Sequence, residues 1–150
     1  MIPKFRAYDS GSLSRMYQPD EVMVGDGNIW IIDEDSVAGD WMVNNDIHLM
    51  QSTGLKDKNG KEIFEGDIIQ TSAFACIVGF GEYTYIGDRN TLETEIGFYL
   101  SFLNIKPATY APFDKYYWDN CEVIGNIHEN ELDLIMYEVS KFNKEIEDET

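Results

Sequence analysis

Cysteine and histidine are the side chains best suited to nucleophilic or metal chemistry, and the chain has two of each. Cys121 and His128 are the pair that a nucleophile and its base would suggest. They lie seven residues apart on one predicted strand, and an odd separation places side chains on opposite faces. His48 lies in an apolar run, and no HxxxH or CxxC pattern supplies metal ligands. We therefore predict no catalytic or metal-binding residue, and expect Cys76 and Cys121 to be buried, reduced thiols.

Two further segments only partly match known ligand motifs. Residues 33–40 (DEDSVAGD) start like a calcium loop, but Val37 occupies the third ligand position and Ala38 the position of the required glycine. Residues 79–84 (GFGEYT) start like a dinucleotide fingerprint, but the third glycine is absent and no helix follows. We predict a solvated loop for the first segment and no cofactor for the second.

Acidic residues dominate the charge of the chain. There are 28 of them against 11 basic residues, which gives a net charge of −17. Such a chain is repelled by phosphate backbones and has no basic stripe, so direct nucleic-acid binding is disfavoured. The acidity can serve solubility, or it can imitate the charge of a nucleic acid. With so many carboxylates, their abundance singles out no acid–base pair.

An aromatic cluster near residue 115 is the candidate interaction surface. It comprises Tyr110, Phe113, Tyr116, Tyr117 and Trp118. Tyrosine and tryptophan supply contact energy at low entropy cost, so the cluster could bind a ligand or a protein. Only Lys106 and Lys115 offer nearby positive charge, which disfavours stacking on single-stranded bases. The alternative is that these rings fill the core beneath a long ordered loop, residues 106–117.

Turn residues predict the elements that must position these side chains. Asn59-Gly60 predicts a hairpin with a type I′ turn, in which both central residues have positive φ. Glu65-Gly66-Asp67 predicts a second reversal, after which Ile68-Ile69 opens an apolar strand. An entry of this kind is common in SH3-like barrels, a likeness that carries no function. Gly25-Asp26-Gly27 suits a third hairpin.

Short strands with frequent turns and no βαβ unit predict a mainly β, antiparallel fold. We expect a meander in residues 1–52, a small SH3-like barrel in residues 53–129, and a C-terminal amphipathic helix with an acidic tail in residues 130–150. A bulge or bend is expected near Gly79 and Gly81, and a closing strand at residues 118–127. The helix would begin after Asn130 and carry an apolar stripe. The stripe is formed by Leu132, Ile135, Met136, Val139, Phe142 and Ile146.

Four segments resemble the YopX proteins of phages and prophages. They are residues 2–9 (IPKFRAYD) with Met16-Tyr17, residues 49–51 (LMQ), residues 53–69 (TGLKDKNGKEIFEGDII) and residues 122–130 (EVIGNIHEN). Residues 18–46 and 70–118 match in pattern only. Ser52 stands where an aromatic residue is expected, and Glu131 stands where a proline is common. The resemblance implies an accessory protein and no defined activity.

The resemblance implies a phage or prophage accessory protein, and we expect it to bind another protein, with a homo-oligomer as a further expectation. An acidic mimic of nucleic acid is the alternative, and a small hydrolase the third hypothesis. No run approaches eighteen apolar residues, and the N-terminus lacks an apolar signal-peptide core. We expect a protein of the bacterial host cytoplasm with no membrane segment and no cofactor.

Overall fold

The structure, a computed structural model, describes residues 2–11, 13–71, 74–103 and 105–130. The chain divides into two compact units, Met1–Gly54 and Leu55–Thr150. The predicted C-terminal helix lies outside the described residues except for its first position, Asn130. No helix in the described part of the chain is long and apolar enough to cross a membrane.

The first unit is built from short antiparallel strands. They are β1 (Phe5–Asp9), β2 (Arg15–Tyr17), β3 (Val22–Gly25), β4 (Asn28–Ile32), β5 (Trp41–Val43) and β6 (His48–Lys56), whose last two residues belong to the second unit. A 3-10 helix, Pro19–Glu21, precedes β3. Strand β1 pairs with β2 and β6, and β4 pairs with β3 and β5. The predicted hairpin at residues 25–27 is confirmed, and Asp26 and Gly27 both have positive φ, which is the type I′ geometry of a two-residue loop.

The described part of the second unit forms a five-stranded antiparallel sheet. Its elements are β7 (Glu62–Phe64), β8 (Asp67–Gln70), β9 (Ala75–Ile86), β10 (Leu92–Phe102), β11 (Tyr110–Pro112), α1 (Lys115–Asn120) and β12 (Glu122–Asn126). The sheet order is β11-β10-β9-β8-β12, with β7 beside the end of β6. Four consecutive strands form a meander, a short helix follows, and β12 returns beside β8. This is the connectivity of an SH3-like barrel, so the predicted mainly β fold is confirmed.

Apolar side chains on one face of this sheet form the core of the second unit, together with residues of β7, α1 and the segments that flank α1. The buried cluster comprises Ile63, Ile69, Cys76, Val78, Leu100, Phe113, Cys121 and Val123. Tyr117 and Trp118 of α1 pack against this cluster while remaining partly exposed. Removal of this apolar surface from water is the main favourable term in folding the unit.

Two boundaries predicted from sequence are wrong, and the bulge lies in a different strand from the one predicted. The segment predicted as a loop contains β11 and the start of α1, and the predicted closing strand begins in that helix. The carbonyl of Asp114 accepts the N–H groups of Tyr117 and Trp118 at 3.1 and 3.3 Å, which starts the helical turn. Strands β9 and β10 pair without a register shift, so there is no bulge at Gly79 or Gly81. The shift occurs instead in β12, between Val123 and Gly125.

The hairpin at residues 57–61 exists, but its turn type differs from the prediction. The Asp57 N–H donates to the Lys61 carbonyl at 2.8 Å, and the Gly60 N–H donates to the Asp57 carbonyl at 3.0 Å. Gly60 has φ +83°, whereas Asn59 is not among the residues with positive φ. The turn is therefore a type I turn closed by a left-handed glycine, with a three-residue loop. The extra loop residue relieves Asn59 of the left-handed conformation.

Asp57 fastens this hairpin to the closing strand. Its Oδ1 accepts the N–H groups of Asn59 and Lys61, each at 2.9 Å, and its Oδ2 accepts the N–H of Val123 at 2.9 Å. Burial by itself raises the pKa of Asp57, but the three backbone donors outweigh it and hold that pKa below its ordinary value of 3.8. Residues 53–69, the longest of the four segments that carry the family resemblance, therefore have a structural role through Asp57.

Candidate functional site

The two cysteines lie in the core as free thiols, and neither is poised to act as a nucleophile. Both side chains are fully buried. Burial raises the pKa of Cys76 to about 12 and that of Cys121 to about 11. The Cys121 thiol donates to the carbonyl of Trp118 at 3.7 Å. At neutral pH both groups are therefore protonated.

The remaining sequence candidates for ligand chemistry are used in local structure. His48 is exposed, and its Nε2 lies 3.1 Å from the hydroxyl of Ser10. In the loop at residues 33–40, the Ser36 hydroxyl donates to Asp40 at 2.8 Å and the Asp35 N–H donates to Asp33 at 3.0 Å. Across the described ranges, no group of three or more His, Cys, Asp or Glu side chains could hold a metal ion.

The five aromatic residues singled out from sequence do not form one surface. Phe113 is buried in the core, and Tyr117 and Trp118 pack against that core while keeping part of their area exposed. Tyr116 is 65% exposed, and Tyr110 is 37% exposed on the edge strand β11. The segment thus both plugs the core and presents two tyrosines to solvent.

Strands β9 and β10 extend beyond their neighbours and form a separate feature. Strand β8 pairs only with residues 75–77 of β9, and β11 pairs only with residues 99–101 of β10. The pairing between β9 and β10 continues to Ile86 and Leu92. Residues 79–98 therefore form a two-stranded ribbon, which we call the arm, and its base is held by a hydrogen bond of 3.3 Å from the Phe113 N–H to the Phe98 carbonyl. An isolated hairpin is marginal in water, so the contacts between its side chains must hold it.

One face of the arm carries tyrosines opposite glutamates. The cross-strand pairs are Tyr83 with Glu95 and Tyr85 with Glu93. The hydroxyl of Tyr83 donates to Glu95 at 3.0 Å, and that of Tyr85 lies 2.9 Å from an oxygen of each glutamate. Burial and then the Glu95 bond raise the pKa of Tyr83 to about 12. The bonds to Glu93 and then Glu95 raise the pKa of Tyr85, so both hydroxyls remain donors at neutral pH.

The tyrosine rings on this face also pack against one another. The ring of Tyr83 stacks between Tyr85, at 5.6 Å between centroids, and Tyr99, at 5.1 Å. Tyr110 meets Tyr99 edge to face at 5.8 Å. Gly79 makes room for the stack, because a Cβ there would lie 2.5 Å from the ring of Tyr99. We call this row of four rings the tyrosine stack.

The opposite face of the arm, which also carries Glu82, exposes large apolar side chains. Leu92 and Ile96 each expose 77% of their area, and Ile86 and Phe80 expose 67% and 46%. Phe80 packs on Phe98 with ring centroids 4.8 Å apart. We call the four exposed residues, Phe80, Ile86, Leu92 and Ile96, the apolar face. Large apolar side chains gathered on a surface indicate an interaction site more strongly than the same side chains scattered singly.

A groove of about 560 Å³ lies between the tip of the arm and the segment that follows β10. Its aromatic residues are Tyr85, Tyr110 and Tyr117, and its charged residues are Asp88, Arg89, Glu93 and Asp114. The tip itself is a three-residue loop in which the Gly87 N–H donates to the Thr91 carbonyl at 2.9 Å and Asn90 takes the left-handed conformation. We call this the tip groove, and its volume is typical of ligand pockets.

Sequence reasoning missed the arm, although a signal was present. Tyr83 and Tyr85 alternate on one strand, and Glu93 and Glu95 alternate on the next. Each pair lies on one face because side chains two residues apart in a strand share a face. The two pairs come together only in the register that the loop at residues 87–91 sets.

Comparison with known proteins places this fold among its relatives. Protein EF1440 from Enterococcus faecalis, known from a crystal structure, is similar at 29% sequence identity and a TM-score of 0.54. The similarity covers 89% of this chain and 99% of that chain. No curated protein matches the chain. The sequence profile of the YopX protein matches residues 4–133, which is most of the chain. The chain therefore belongs to the YopX family.

Proposed function

We propose that this chain is a non-enzymatic accessory protein of a phage or prophage, and that it acts by binding another protein in the cytoplasm of the bacterial host. Membership of the YopX family supports an accessory role. The observation that carries the binding role is the apolar face of the arm, where Leu92 and Ile96 are each 77% exposed. The arm lies beyond the ends of β8 and β11, so its apolar side chains are placed to meet another molecule.

The arm has the composition of a binding surface. Interfaces draw most of their energy from a few aromatic and large apolar anchors surrounded by polar residues. Phe80, Ile86, Leu92 and Ile96 supply such anchors, and the hydroxyl groups of Thr84 and Thr94, 2.9 Å apart, lie between them. Binding would remove this apolar area from water, where each side chain costs free energy.

The charge of the chain indicates the chemistry of the partner. The net charge is −17, and the arm carries four acids against the single Arg89. A basic protein surface would be drawn toward the arm, and the attraction would raise the association rate at low salt. Two copies of this chain repel each other for the same reason. If the partner were instead a second copy of the chain, light scattering on the pure protein would detect the homo-oligomer.

Site-specific photo-crosslinking tests this function. A photoreactive residue at Ile96, on the apolar face, is compared with one at Val37, which is exposed in a polar loop of the other unit. We expect the residue at position 96 to give an adduct of one defined mass in host cells. The same adduct should form when the purified chain is mixed with the identified protein, and less of it should form at high salt. Equal adducts from both positions, or none from Ile96, would remove the basis of the proposal.

Nucleic-acid mimicry is a second candidate because Glu93 and Glu95 lie on one face of the arm, two residues apart. It predicts that the crosslinked protein binds DNA or RNA and that duplex DNA competes for it. A hydrolase is the weakest of the three hypotheses, since burial keeps Cys76 and Cys121 protonated. Binding that duplex DNA leaves unchanged would exclude mimicry and leave protein binding as the function.

A further inference from the structure

We propose that the tip groove binds the side chain of an arginine presented by the basic protein partner. This proposal rests on the proposed function and names the residue type that the partner must carry. The groove, with a volume of about 560 Å³, is more than large enough for an arginine side chain. It combines tyrosine rings with carboxylates, and those two kinds of group together favour a cation.

The aromatic wall of the groove is held in position before any ligand arrives. Tyr85 is fixed at its hydroxyl, which lies 2.9 Å from both Glu93 and Glu95. Its ring stacks on Tyr83, which in turn stacks on Tyr99. One face of the Tyr85 ring is therefore covered by the ring of Tyr83. Tyr85 lines the groove together with Tyr110, and a wall held in this way loses little entropy on binding.

The charges in the groove decide the sign of the ligand. Among the described residues that line it, three are acidic, Asp88, Glu93 and Asp114, and one is basic, Arg89. An anionic ligand would meet three carboxylates and one guanidinium, so it would be repelled. A cation gains Coulomb attraction from the three acids and, over the ring of a tyrosine, from the negative face of the ring. The net charge of −17 adds a long-range attraction for cations.

Arginine fits this groove better than lysine does. A guanidinium is planar, so it can lie flat on a tyrosine ring while its edge donates two N–H groups to one carboxylate. An ammonium is a compact, strongly hydrated charge that cannot do both. The groove offers a ring beside a carboxylate at Tyr85 and Glu93, whose hydrogen bond places them in contact.

The probe is N-acetyl-arginine amide, titrated into the purified full chain at low salt and followed by two-dimensional NMR. The matched probe is N-acetyl-citrulline amide, which has the same shape and no charge. We expect the arginine probe to shift the resonances of residues 85–93 and 110–117, and the citrulline probe to leave them in place. N-acetyl-lysine amide should bind several-fold more weakly. Equal shifts from arginine and citrulline would overturn the proposal.

Variants identify the groove as the binding site. Glu93→Gln removes a charge that lines the groove, and Glu82→Gln removes the same charge from the opposite face of the arm. We expect the first to weaken binding of the arginine probe by about three- to fivefold and the second to leave it unchanged. Arg89→Gln should tighten binding, because it removes the like charge. Asp88→Asn repeats the Glu93 test without touching the hydrogen bond of Tyr85.

A second matched pair tests the ring. Tyr110→Leu removes an exposed tyrosine from the groove, and Tyr116→Leu removes an exposed tyrosine outside it. The first should weaken the arginine probe about two- to fivefold and the second should not. Equal binding by Glu93→Gln and Glu82→Gln would overturn the groove proposal even if crosslinking from Ile96 succeeds. Failure of that crosslinking with normal arginine binding would overturn only the proposed function.

Discussion

Asp57 and Val123 are 66 positions apart in sequence and are joined by a hydrogen bond of 2.9 Å from the Val123 N–H to the Asp57 carboxylate. The same carboxylate caps the turn at residues 57–61. One buried side chain thus ties the first hairpin of the second unit to its closing strand, and the stability of the fold should depend on it.

Asp57→Asn should destabilise the protein by about 2 kcal/mol at pH 7. The substitution removes a charge that accepts three backbone N–H groups, and a hydrogen bond to a buried charged group contributes about 1.5–3 kcal/mol. Urea unfolding measures the change. Asp46→Asn, at an exposed position, is the control and should stay within about 0.5 kcal/mol of the parent. A loss of stability at Asp57 no larger than that at Asp46 would contradict this role of the Asp57 side chain.

The contribution of Asp57 should depend on pH with a defined sign. Its pKa in the folded state lies below 3.8, so the native state holds the proton less tightly than the unfolded chain does. The resulting stability is fully present above the unfolded pKa and is lost as pH falls through the lower folded pKa. The difference in unfolding free energy between the parent and Asp57→Asn should therefore be constant from pH 5 to 7 and shrink below about pH 4. A difference that grows on acidification would contradict this.

Substitutions in the turn at residues 57–61 should separate Gly60 from Asn59. Gly60→Ala places a Cβ on a residue with φ +83°, which costs about 1–2 kcal/mol even though no atom lies within 4 Å of that Cβ. Asn59→Ala should change stability by less than about 0.5 kcal/mol, since Asn59 does not have positive φ. Thermal unfolding of both variants decides the turn type. Equal losses would indicate the type I′ turn that the sequence predicts.

The two thiols should resist modification in the folded protein. Because burial raises the pKa of Cys76 to about 12 and that of Cys121 to about 11, the thiolate fraction at pH 8 is very small. A thiol reagent should label neither residue in buffer and both residues in urea, as mass spectrometry would show. Rapid labelling of Cys121 in the native state would reopen the hypothesis of a cysteine hydrolase.

The fold class could be predicted from sequence because its signals are local. Asp26 and Gly27 set the type I′ turn between β3 and β4 by their own conformational preferences, and Gly60 and Gly66 reverse the chain where positive φ is needed. The helix α1 was missed because it is only six residues long and follows Pro112, in a segment rich in aromatic residues. Its start depends on the Asp114 carbonyl rather than on a periodic apolar stripe.

The candidate site could not be predicted in the same way because it depends on relative strand lengths. The arm exists because β9 has twelve residues and β10 eleven, whereas their neighbours β8 and β11 have four and three. No local pattern shows where a neighbouring strand stops. Tyr110 and Tyr117, singled out from sequence, line the tip groove, but Tyr85 and Glu93 reach it only through the pairing of β9 with β10.

The affinity of the crosslinked partner for three purified proteins tests the proposed role of the arm most directly. They are the parent chain, a variant with Leu92→Ser and Ile96→Ser on the apolar face, and a control with Val37→Ser. We expect the arm variant to bind at least about tenfold more weakly, because truncating interface anchors costs more than 1 kcal/mol each, and the control to bind like the parent. An arm variant that binds as tightly as the parent would contradict the assignment of the arm as the binding surface.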